Sequence, residues 1–110
     1  MDVSEIIKQE YSEEFDQLRK NRVAVSYYKY GPAKANFGGH LVNALQSAEI
    51  RKRKYEQTGN TEYLLDAANY LMFEYMYPAS EKAHFKATDS NGSAGKSGIS
   101  INEIKNYDEV

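Results

Sequence analysis

The segment Thr61–Tyr77, reading TEYLLDAANYLMFEYMY, constrains the fold of this chain more than any other. Leu64, Leu65, Ala67, Ala68, Tyr70, Leu71, Met72, Phe73 and Met76 leave a helix there almost no polar face. Such a helix belongs at the centre of a bundle, covered by others on most sides. Asn60 or Thr61 starts it and Pro78 stops it. At 1.5 Å per residue it spans about 25 Å, and with its acids it is too short and too polar to cross a bilayer.

The rest of the chain supplies the partners. At 110 residues there is material for one domain and one modest core. Hydrophobic residues at 41% and charged residues at 27% fit a folded soluble protein. The stretch from Asp2 to about Tyr30 begins as a helix, capped by Ser4, with Asp2 and Glu5 at the positive end of its dipole. Ile7, Tyr11, Phe15 and Leu18 form one stripe of a 3.6-residue period. Val23–Tyr30 is rich in β-branched and aromatic residues, and reads either as a strand or as a continuation of the helix. No partner strand is evident before residue 99, which favours the helix. Gly31-Pro32 ends it, and Pro32–Gly39, with its glycine pair, is a bend or a close backbone approach. His40–Gln57 reads as a second helix with Leu41, Leu45, Ala48 and Tyr55 inward. Gly59 ends that helix in a short turn.

The predicted fold is therefore all-α, a small antiparallel bundle of three main helices over residues 1–78. Residues 79–110 are expected to be a Gly/Ser-rich loop and a short C-terminal helix. That helix would start at the capping box Ser100-Ile101-Asn102-Glu103 and form a flexible extension.

Composition excludes several functions. Without cysteine there is no disulfide scaffold, thiolate metal site or thiol nucleophile, and a reducing setting is favoured. The first residues have neither the basic start nor the apolar run of a signal peptide, so a cytoplasmic location is expected. A net charge of −2 argues against a general nucleic-acid coat, though not against a local basic patch. Gly95-Lys96-Ser97 lacks the glycine five positions earlier, where Ser90 stands, and so is not a phosphate loop. His40 and His84 stand apart from acids and nucleophiles, and read as surface or capping residues.

Three features carry candidate chemistry. Glu62, Asp66 and Asn69 share one stripe of the apolar helix, and with Glu49 they can make an oxygen-rich site for Mg²⁺. Alternatively, Asp66 pairs with Arg22 or Arg51 and the group is structural. Arg51-Lys52-Arg53-Lys54 is either a solvated helix end favoured by the dipole or a phosphate- or acid-binding feature, with Arg51 and Arg53 as the candidate contacts. The chain also has ten tyrosines and four phenylalanines. One small core cannot bury them all while satisfying every hydroxyl, so some belong at an interaction surface. Tyr27, Tyr28, Tyr30, Phe37 and Tyr75 are the candidates.

Three blocks carry a resemblance: SYYKYGP at Ser26–Pro32, TGNTEYLLDAANY at Thr58–Tyr70 and AHFKATDS at Ala83–Ser90. Together they resemble a family of small bacteriophage and prophage proteins. The resemblance implies an accessory protein made in a bacterial cytoplasm, and implies no catalytic residue. By analogy with genetic context, such proteins often inhibit host systems, defence complexes included. A fainter similarity is to MazG-type all-α nucleotide pyrophosphohydrolases, whose magnesium sits between a Glu-Glu-x-x-Glu helix and a Glu-x-x-Asp helix. Here Gln17 replaces the third glutamate of the first motif, and Glu62 and Asp66 are four apart rather than three.

The expected function is non-enzymatic: binding a host protein or complex, in the manner of an anti-defence inhibitor. No cofactor is expected on this reading, and a dimer covers the surplus apolar surface of the third helix. The alternatives are Mg²⁺-dependent pyrophosphohydrolysis through Glu49, Glu62 and Asp66, or nucleotide sequestration by Arg51, Arg53 and stacked tyrosines.

Overall fold

A computed structural model describes residues 1–88. The expected Gly/Ser-rich loop and C-terminal helix lie outside the described residues. Every regular element among them is helical: α1 (Val3–Glu10), α2 (Glu13–Tyr30), a π-helical turn (Lys34–Gly38), α3 (Ala44–Thr58) and α4 (Glu62–Met76). The all-α expectation holds, and Val23–Tyr30 is helix. Two compact units divide the chain, one spanning Glu13–Ala83 and the other including Met1–Ser12.

The first unit to form in sequence is α1. Its cap is Asp2 rather than Ser4: the Asp2 carboxylate accepts from the Glu5 backbone N–H at 2.9 Å and from the Ser4 hydroxyl at 2.9 Å. Ser4 thus lies inside the helix and braces the cap. The expected run of helix past residue 10 is broken at Tyr11, which is extended (φ −118°, ψ 145°) while its N–H still reaches Ile7. Ser12 followed by Glu13, Glu14 and Asp16 is a second helix start, with acids favoured at the positive end of the new dipole.

In the larger unit, α4 is the hub. Gly59 at φ 73° closes α3 with its N–H on the Tyr55 carbonyl, and the chain turns directly into α4. That left-handed conformation suits a residue without Cβ. Lys54, late in α3, lies over the Tyr63 ring early in α4, whereas Ala44 at the start of α3 shares a small pocket with Tyr77 beyond the end of α4. The two helices are therefore antiparallel. On the other flank, Arg19 reaches Asn69 and Met72 while Arg22 reaches Glu62 and Asp66. Rising numbers on α2 meet falling numbers on α4, so this pair is antiparallel too.

The buried residues are few: Ala44, Ala48, Leu65, Asn69 and Phe73. They recur every fourth residue on α3 and on α4, forming one stripe on each helix. Alanines on α3 let the helices approach closely. Leu41 and Leu45 do not point inward as expected; both are exposed. Asn43 caps α3 by accepting from the Gln46 N–H at 2.9 Å, so the helix begins at Ala44 and Leu41 stays in the loop before it. The buried stripe then runs through Ala44 and Ala48, one position out of phase with Leu45. Coverage of α4 is also less complete than its composition suggests: Leu64, Leu71, Tyr75 and Met76 are exposed. Among the described residues no helix is long and apolar enough to cross a membrane.

Asn36 organises the connection from α2 to α3. Its side-chain amide donates to the Tyr30 carbonyl at 3.0 Å, and its own carbonyl accepts from the Leu41 and Val42 N–H groups, both at 2.9 Å. Gly39 follows at a close approach, since a Cβ there would overlap the Ala35 carbonyl oxygen. Gly39 thus permits a chain reversal that presses Phe37 onto α4.

Candidate functional site

The C-terminal half of α2, the π-helical turn, α3 and α4 enclose a groove of about 430 Å³. Its floor is aromatic. Phe37 stacks on Phe73 with ring centroids 4.6 Å apart and planes 19° from parallel, and meets Tyr70 edge-on at 6.0 Å. Tyr27 and Tyr30 line the rim.

Charge enters the groove from three helices. Asp66 of α4 accepts two hydrogen bonds from Arg22 of α2, Nε to Oδ1 at 3.0 Å and Nη2 to Oδ2 at 3.2 Å. This forked pair has the planar, bidentate geometry that arginine matches to carboxylates. Hydrogen bonding to Asp66 raises the Arg22 pKa above its ordinary value, against the opposing effect of burial. Glu62 lies 3.5 Å from the same guanidinium. On the other side, Arg51 Nε stands 4.0 Å from Asp66 Oδ2, and its guanidinium carbon lies 5.8 Å from the centroid of Tyr63. Lys29 also lines the groove.

A neighbouring polar cluster fixes α2 on α4. Asn69, only 5% exposed, donates to the Arg19 carbonyl at 3.0 Å and accepts from the Arg19 guanidinium at 3.4 Å. Arg19 also holds Asp16 at 2.8 Å. A buried amide is tolerated when both of its ends find partners, as here.

Tyr27, Tyr30, Phe37 and Arg51, separate in sequence, are brought together around this groove. Tyr28 stands off it at 88% exposure, in edge-on contact with Tyr27 at 5.9 Å. Tyr75 is exposed on α4, and Arg53 pairs along α3 with Glu49 at 3.4 Å. Of the oxygen ligands considered for Mg²⁺, Glu62 and Asp66 share Arg22 while Glu49 is turned to Arg53. No group of three or more acidic, histidine or cysteine side chains that could hold a metal occurs among the described residues. Both histidines are exposed.

Sequence reasoning missed Asn36 and the Arg19–Asn69 pair. A lone asparagine in a loop gives no sign that its carbonyl will gather two N–H groups. Asn69 was visible as a polar residue on an apolar helix, but its partner lies on a different helix. No protein-family model, curated protein or solved structure matches this chain.

Proposed function

We propose that this chain is a non-enzymatic binding protein of the phage accessory type, which engages a bacterial host protein or complex and inhibits it, as an anti-defence factor does. The observation that carries the reading is the aromatic exposure at the end of α2, where Tyr28 and Tyr30 are 88% and 72% exposed. Tyrosine supplies large contact area at low conformational cost and is enriched where binding energy concentrates. A helix that ends in exposed rings beside the Gly31-Pro32 break presents them on a rigid support. The phage assignment rests on the three sequence blocks, and three of their tyrosines, Tyr27, Tyr30 and Tyr70, line the groove. The same reading includes self-association through the outer edge of α4.

Affinity capture from a bacterial host, run side by side with the parent chain and a Tyr28→Ala/Tyr30→Ala variant, tests the proposal. The expected result is one host species held in stoichiometric amount by the parent and lost by the variant. Equal retention by both chains, or no stoichiometric species with the parent, would overturn it.

A further inference from the structure

We infer that the groove between α2, the π-helical turn and α4 is a binding site for a small aromatic phosphate, a nucleoside monophosphate in size and charge. Four observations converge. The volume of about 430 Å³ falls in the range of small-molecule sites. Its lining sets three cations, Arg22, Lys29 and Arg51, against a single carboxylate, Asp66, in a chain whose overall charge is −2. A concave surface opposite in sign to the rest of the molecule concentrates counter-charge. With Glu62 also 3.5 Å from Arg22, the local excess is one positive charge, the sign that attracts a phosphate monoester.

The donors are available. Asp66 and Glu62 engage Nε and Nη2 of Arg22, leaving Nη1, and Arg51 stands with its Nε 4.0 Å from Asp66. Lys29 has no acidic partner among the described residues, and its neighbours one turn back on α2 are Val25 and Ser26. Asp66 thus orients Arg22 while its Nη1 stays free to donate to an oxyanion. The aromatic half of the ligand is set by the other wall. Phe37 is held by Phe73 and Tyr70, and exposed Tyr30 lies on the rim, so a planar base has rings to stack on.

The test is titration calorimetry on the full chain with AMP, GMP, CMP and UMP, and with inorganic phosphate and adenosine as separate arms. At least one nucleotide should bind about tenfold more tightly than phosphate or nucleoside, because both halves of the site are then used. Lys29→Gln and Tyr30→Ala replace exposed side chains, and each should weaken that nucleotide by about fivefold or more while the melting temperature of the free protein holds. Higher salt should weaken binding of the parent more than of Lys29→Gln. No binding of any of the four up to about 1 mM, a strength near the floor of specific recognition, would overturn the site. So would nucleotide affinity that Lys29→Gln leaves unchanged, or phosphate alone binding as tightly as the nucleotide.

Discussion

Asp2 shows how one side chain can set a boundary. Its carboxylate is held below the usual carboxylate range, first by the hydrogen bond from the Glu5 N–H and then by that from Ser4. A depressed folded-state pKa means that the cap's contribution is present above the unfolded value, about 3.8, and is lost as pH falls through the lower folded value. α1 has eight residues and buries none of them, so a short helix of this kind depends on its cap. Acidification below about pH 4 should therefore speed amide exchange at Glu5 and Ile6 relative to α4, beyond the intrinsic pH effect. Asp2→Asn keeps a capping oxygen but cannot titrate, and should remove that extra acid dependence. An identical pH profile in the two chains would contradict the role assigned to Asp2. At this scale the sequence was partly legible. The local pattern placed a cap at the start of the chain but chose Ser4, because both residues suit the position and only backbone geometry separates them. Asp66 was readable as a partner for Arg22 or Arg51, since a carboxylate on an apolar helix has to be paired; the structure places it within reach of both.

Among the elements, the connector from α2 to α3 makes the sharpest demand on composition. Gly38 and Gly39 look equivalent in sequence, yet a Cβ at Gly38 would meet Tyr77 Cδ1 at an ordinary 3.5 Å. At Gly39 it would meet a backbone carbonyl that cannot swing aside. Gly39→Ala should cost about 2 kcal/mol or more, and Gly38→Ala should stay within about 0.5 kcal/mol. Denaturant unfolding of the two variants measures the difference, and equal costs would contradict the close approach. The bend here was legible because paired glycines have few other uses. The helical phase of α3 was not. A leucine at 41 or 45 scores as inward on any hydrophobic pattern, but Asn43 sets the start of the helix and leaves alanines on the buried line. The end of α3 was legible, since a Thr-Gly-Asn sequence after basic residues points to a left-handed stop. The break at Tyr11 was not, because Tyr11 continues an apolar stripe and its extended backbone interrupts a pattern that would otherwise run on.

Taken whole, the bundle buries one edge of α4 through Leu65, Asn69 and Phe73, and leaves Leu64, Leu71 and Tyr75 on the opposite edge exposed. These outer residues recur at helical spacing, as an interface would. On the proposal of self-association, sedimentation at micromolar concentration should give a mass of two chains, and Leu71→Glu should return it to one. A single-chain mass for the parent would contradict it. The hub role of α4 was legible from its near-absence of polar residues. How its faces divide was not, because that depends on how much of α4 two neighbours of this length can cover. The claim with the widest reach is that the most exposed tyrosines are spare to folding and kept for binding. The thermal melt of a Tyr28→Ala/Tyr30→Ala variant tests it directly. Exposed substitutions of this kind cost little, so the midpoint should fall by less than about 4 °C from the parent. A fall of about 10 °C or more would show that these rings hold the bundle together, and would contradict a surface reserved for a partner.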